Sequence, residues 1–231
     1  MATSLESPDG PDAFVRESAD REPRLRAVQQ RTLDTRAAIL RCALAEFADR
    51  GFDGASTRGI AQRAGVNHTL IPHHFGNKDA LWKATAEYVF SLYEQRLRET
   101  RQARPSDDRA SELRALLEVF IRFSADVPEL HRFMLQANRS DPDRLAWLSE
   151  RYLSTDRGLA SQIIEQAQRE GFIVDAEPVH LTYALIGAAT SIFALAGEYT
   201  LVAGEDPFDD ETIDRHVDLI IRLFANPTPS G

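Results

Sequence analysis

The stretch STRGIAQRAGVNHTLIPHHFGNK, residues 56–78, decides how the chain is read. Ser56 or Thr57 caps a short helix whose apolar residues are Ile60, Ala61 and Ala64, and Gly65 closes it. Asn67 caps a second, very short helix that stops by Phe75 and Gly76. Asn77 caps a longer one, with Asp79 where a carboxylate suits the positive end of the helix dipole. No acidic residue occurs between Gly54 and Lys78, although the chain average of 36 in 231 would place about four there. Three of the six histidines, His68, His73 and His74, fall in the same window.

Upstream, Ile39, Leu40, Ala43, Leu44 and Phe47 recur on one helical face, which begins after a cap at Asp34 and ends at Gly51. Residues 1–32 mix Ser, Pro, Gly, Asp and Arg without sustained apolar periodicity and are expected to form a flexible arm, with a helical tendency near residues 25–30. Downstream, the helix capped by Asn77 reaches about Arg101 before Pro105 breaks it. Helical patterns follow at 109–125, 128–139, 142–154, 156–171, 178–202 and 210–225. No strand-like alternation persists. The expected fold is all-α, with a three-helix head at residues 33–81 and a helical body at 82–226.

Two short helices joined by a Gly-containing turn, behind a longer helix, read as a helix-turn-helix. Its second helix enters the major groove of DNA while the first crosses the backbone. Ala61, Ala64, Val66 and Ile71 are small or branched enough for the helices to cross closely. Ser56, Thr57, Arg58, Asn67, His68, Thr69, His73 and His74 are the candidate contacts to bases and phosphates, and Lys78 is placed for a phosphate. The histidines show no pair at the i, i+4 spacing of helical zinc sites and have no nearby Cys or carboxylate, so no metal is expected.

This run resembles the TetR family of transcriptional regulators. The residues that carry the resemblance are Ile39-Leu40, Phe47, Gly51-Phe52, Ser56-Thr57, Ile60-Ala61, Ala64-Gly65-Val66-Asn67, His74-Phe75, Lys78-Asp79 and Leu81, without a gap over roughly residues 34 to 81. The resemblance implies phosphate and base contacts at Ser56, Thr57 and Arg58, a recognition helix over His68 to His74, and a backbone-contacting lysine at Lys78. The family's usual tyrosine is replaced here by Pro72. As the fifth residue of a helix starting at His68, Pro72 would lose a backbone hydrogen bond and leave one turn followed by a kink.

The net charge of −9 and pI near 5.2 speak against a nucleic-acid partner only on average. Arg21 to Lys78 carries ten basic and five acidic residues, a net +5, which leaves −14 for the rest. A single cysteine, Cys42, cannot form an internal disulfide and reads as a buried structural thiol. The N-terminus has no apolar signal region, and the weakly polar run from Tyr183 to Gly197 is short for a membrane span, so a cytoplasmic protein without a membrane partner is expected. No nucleophile–base pair, phosphate loop or metal spacing suggests an enzyme, and no cofactor is implied.

In the body, Phe90, Tyr93, Phe120, Phe123, Phe133, Trp147 and Tyr152 recur at helical spacing, as plain core or as the lining of a cavity for an unknown small-molecule effector. Trp82, His131 and His180 are open to the same two readings. Leu185, Ala189, Ile192, Phe193 and Ala196, with Val217, Ile220 and Phe224, form two apolar stripes expected to pair with their symmetry mates in a four-helix homodimer interface. The leading expectation is a ligand-responsive repressor that binds a palindromic operator. The alternatives are an activator, a regulator without an effector, or an all-α enzyme or scaffold.

Overall fold

The computed structural model describes residues 11–103, 109–153 and 159–226. The described residues form α1 (Pro11–Gly54), α2 (Thr57–Arg63), α3 (Leu70–Phe75) and α4 (Lys78–Ala103). These are followed by α5 (Arg109–Asp126), α6 (Glu129–Ser140), α7 (Pro142–Leu148) and a π-helical turn (Ser149–Leu153). The chain ends in α8 (Leu159–Arg169), α9 (Pro178–Ala194), α10 (Ala196–Ala203) and α11 (Asp210–Phe224). The only extended pairing among the described residues is a single bridge between Ile173 and Ala225. The fold is all-α.

α1 starts far earlier than the apolar periodicity predicts. Asp34 lies within it, and its carboxylate accepts from Gln30 Nε2 at 2.8 Å instead of capping a helix end. Residues 29–34 are exposed, so this part of the helix buries no apolar face and leaves no periodicity to read. Residues 1–10 of the expected arm lie outside the described residues. At the other end the expected break is present: Gly51 has φ 67 and ψ −179, a conformation open essentially to glycine alone. The break turns the chain so that Phe52 stacks on Phe47, with ring centroids 6.1 Å apart.

One apolar cluster fills both the head and the adjoining body. Ile39, Ala43, Leu44 and Phe47 of α1, Ile60 of α2, Ile71 and Phe75 of α3, and Leu81, Trp82 and Val89 of α4 are packed with Leu130, Phe133 and Ala137 of α6 and Leu148 of α7. α6 lies along α1, while α4 continues from the head into the body. Cys42 is half-buried against this cluster. A second cluster joins Ile121 of α5, Ala189 and Phe193 of α9, and Ile213, Val217 and Ile220 of α11.

The helix expected over 178–202 is two helices. α9 stops at Leu195 (φ −108, ψ 30), and α10 leaves at an angle of 71°. The bend turns the chain back, and Phe208 then stacks on Phe193 at 5.7 Å. His216 Nε2 donates to the Ala189 carbonyl at 3.1 Å and ties α11 to α9. Asn226 donates to the Gly171 and Ile173 carbonyls and anchors the end of α11 on the turn before α9.

Candidate nucleic-acid interface and effector cavity

Ser56 is the cap of α2: its hydroxyl accepts from the Gly59 amide at 2.9 Å, and Thr57 is the first helical residue. Gly59 lies against α1 so closely that a Cβ would stand 3.0 Å from Ser56 Oγ and 3.2 Å from Glu46 Oε1. Glu46 is almost wholly buried there and takes Arg63 Nη1 at 3.1 Å and Arg50 Nε at 3.4 Å. Asp49 pairs with Arg63 at 3.8 Å and with Arg132 of α6 at 3.6 Å. Two of the head's acids are thus neutralised within the fold, which keeps the positive sign of its outer face.

The turn between α2 and α3 differs from expectation. Asn67 Oδ1 accepts from both the amide (3.0 Å) and the hydroxyl (2.9 Å) of Thr69, forming a local Asn turn, and α3 starts only at Leu70. The Ile71 amide takes the His68 carbonyl at 3.2 Å. Pro72 is therefore third in the helix, where an amide has no intrahelical partner to lose, and the expected kink is absent.

Arg58, Asn67, His68, Thr69 and His73 are exposed around α3, and no ion pair or hydrogen bond holds the Arg58 guanidinium among the described residues. His74 is turned partly inward, its ring edge-on to Phe75 at 6.1 Å and to His73 at 5.1 Å. Burial, helped by His73 and Arg36, lowers its pKa below the usual imidazole value. Arg36 of the head is not among the expected contact residues, yet its Nη1 donates to the His74 carbonyl at 3.0 Å and its guanidinium covers Phe75 at 4.3 Å. Asn77 caps α4 as expected, accepting from the Ala80 amide at 2.8 Å. Lys78 donates to the Asp53 carbonyl at 3.3 Å, and its ammonium lies 4.6 Å from the Phe52 ring centroid.

In the body, a cavity of about 180 Å³ opens among α4, α5, α8, α9 and the π-helical turn. Phe90, Tyr93, Phe120, Phe123 and Tyr152 line it, together with leucines and isoleucines. Phe90 stacks on Tyr152 with centroids 4.1 Å apart. Burial pushes the Tyr93 hydroxyl above its ordinary pKa, so it stays a neutral donor. Phe133 and Trp147 lie outside the lining: Phe133 stacks on Trp82 at 5.1 Å, and Trp147 sits edge-on to Trp82 at 6.1 Å and to Tyr152 at 5.9 Å. His131 stands behind the wall, edge-on to Phe120 at 6.5 Å, while His180 is exposed beside Glu177. A larger groove of about 400 Å³ between α4 and α5 is open and edged by Arg96, Glu99, Glu118 and Arg122, which suits bulk water better than an apolar guest.

The model of bacterial regulatory proteins of the tetR family matches residues 39–85, the span that folds as the head and the start of α4. Over that span the chain is similar to the TetR family. It is 27% identical over 203 residues to the HTH-type transcriptional dual regulator CecR of Shigella flexneri, covering 80% of this chain and 90% of CecR. An HTH-type transcriptional repressor of Mycobacterium tuberculosis is 47% identical over 53 residues, which are 23% of this chain and 28% of that protein. AibR, solved in complex with isovaleryl coenzyme A and operator DNA, superposes with a TM-score of 0.63 at 20% identity, covering 84% of this chain and all of AibR.

Outside the matched span, the apolar residues of α9 to α11 divide between two faces. Ala189, Phe193, Val217 and Ile220 face inward and form the seam between these helices and α5, Leu185 is buried at the cavity, and Ile192, Ala196 and Phe224 are half-buried. The apolar groups left outside are a different set: Tyr183, Leu195, Leu219 and Leu223, with Leu201 at 88% and Val202 at 83% exposure. Five of the eight residues of the stripe read from the sequence are therefore buried within the protomer. The row that faces out lies on the opposite side of the same helices.

Proposed function

We propose that this protein acts in the cytoplasm as a homodimeric transcriptional repressor that releases its operator when a small apolar or amphipathic molecule enters the body. The head, residues 33–81, reads one half of an inverted repeat, and the body, residues 82–226, dimerises and holds the effector. The observation that carries this reading is the outward face of α2, α3 and the start of α4. It presents Arg58, His68, Thr69, His73 and Lys78 with no acidic residue between Gly54 and Lys78. Two such heads about 34–36 Å apart address successive major grooves. The exposed row from Tyr183 to Leu223 supplies the dimer contact, and the aromatic cavity supplies the effector site.

AibR, of the same fold, holds an acyl-coenzyme A and operator DNA, which supports a protein with both kinds of partner. The test is selection from a random duplex library with the full-length protein, followed by binding to the DNA upstream of its own gene. The expected result is enrichment of an inverted repeat and a rise in the neighbouring transcript when the gene is deleted. Failure to shift any duplex at low salt would overturn the reading. A fall in that transcript would make the protein an activator, a role that the dual regulator CecR keeps open.

A further inference from the structure

α7 and the turn after it touch the head at one end and the cavity at the other. At the head end, Arg144 of α7 is mostly buried. Its Nη2 donates to Asp79 Oδ1 at 3.1 Å, and its Nη1 pairs with Asp141. Its guanidinium carbon lies 3.3 Å from the centroid of Phe52. Phe52 is the same ring that Lys78 covers, and Asp79 is the next residue after Lys78. The guanidinium therefore packs on the Phe52 ring that supports the Lys78 ammonium, and it also holds the Asp79 carboxylate, which Lys83 pairs at 2.9 Å. At the other end, the π-helical turn that continues α7 places Arg151, Tyr152 and Leu153 in the cavity wall. Trp147 bridges the two ends, touching Trp82 and Tyr152.

We propose that Arg144 is a positioning residue that sets Lys78 for its phosphate contact and carries the state of the cavity to it. This rests on the proposed reading of the head as DNA-binding and of the cavity as an effector site. A guest that enters beside Phe90 separates the Phe90–Tyr152 stack and displaces the π-helical turn. α7 is only seven residues long and pivots at Asp141, whose carboxylate caps it through the Asp143 and Arg144 amides. Arg144 then withdraws from Phe52 and Asp79, and Lys78 loses its fixed position. The arrangement is suited to switching because the Arg144 Nε is buried without a hydrogen-bond partner. The unmet buried donor penalises the clamped state, and an arrangement that satisfies it recovers that penalty.

The experiment uses full-length protein and the duplex that the wild type enriches from a random library. Salt titrations are run for Arg144→Gln, Lys78→Gln and the double variant. Arg144→Gln is expected to weaken binding by about tenfold and to flatten the salt dependence by roughly two ions per dimer, as expected when two charge-assisted phosphate contacts are lost. Adding Lys78→Gln should then cost nothing further. Leu117→Phe, which fills part of the cavity, should weaken binding in the wild-type background and leave Arg144→Gln unchanged. Additive losses in either pair, or no effect of Leu117→Phe on the wild type, overturn the proposal. If Arg144→Gln melts early, Arg144→Lys takes its place. It keeps the charge and lacks the flat fork, and the same non-additivity is expected. A wild type that enriches no duplex sinks the DNA-binding reading itself; an enriched duplex with additive losses sinks only the role of Arg144.

Discussion

His131 gives a sharp test of how the body is packed. Its Nε2 is buried with no hydrogen-bond partner, its ring meets Phe120 edge-on, and burial pushes its pKa from 6.5 down to about 4. The folded protein therefore keeps this imidazole neutral at pH values where the unfolded chain takes up a proton. Stability is whole above pH 6.5 and falls as the pH drops toward 4, because the unfolded state binds more protons across that window. The loss attributable to this group is about 2 kcal/mol at pH 5 and about 3 kcal/mol at pH 4. His131→Leu removes both the titration and the orphaned nitrogen, whose burial costs about 1–3 kcal/mol. Urea unfolding at pH 7 and pH 5, at one fixed protein concentration, measures both effects. His74 and His216 also have lowered pKa values, chiefly through burial, but they are present in both proteins and cancel in the difference. The variant should match or exceed the wild type at pH 7 and gain a further ~2 kcal/mol on it at pH 5. An unchanged gap between the two pH values would refute the neutral, unpartnered state of His131.

Gly51→Ala forces a side chain into the glycine-only conformation at the end of the head segment of α1 and should cost about 1–3 kcal/mol, read as a lowered unfolding midpoint. Leu201→Glu together with Leu223→Glu should yield a folded monomer by sedimentation, whereas Leu185→Ala should lower stability by about 2–5 kcal/mol by emptying a buried site beside the cavity. Lys78→Gln should weaken binding to all duplexes about equally and reduce the salt slope by roughly one per subunit, measured by titration from low to physiological salt.

The head was legible because its determinants are local. Ser56 and Asn77 cap helices through amides three residues on, and Gly51 breaks α1 where the apolar stripe of Ile39 to Phe47 stops. The recognition turn was misjudged by two residues because Asn67 can cap a helix or close a turn, and only the backbone path of Thr69 decides which. That shift turned Pro72 from an expected kink into an ordinary first-turn proline. The stretch of α1 just before Asp34 left no apolar period to read, because residues 29–34 are exposed. In the body, periodicity located α9 and α11 but could not say which of two apolar faces turns inward; both Phe193 and Tyr183 read as apolar, and only packing against Ile121 and Ile213 separates them. Arg36, Glu46 and Arg144 act across long stretches of chain, on partners that no spacing rule connects.

The shared apolar cluster of α1, α4, α6 and α7 sets a limit on modular engineering. A hybrid regulator built by grafting residues 33–81 onto a foreign body would strip Leu130, Phe133, Ala137 and Leu148 from Phe47, Trp82 and their neighbours. The graft would expose a greasy underside and lose the Asp49–Arg132 and Asp79–Arg144 ties at the same joint. The smallest portable DNA-reading cassette therefore includes the matching faces of α6 and α7. Exchanging specificities between relatives means redesigning only the outward residues of α2 and α3, and leaving that underside as it is.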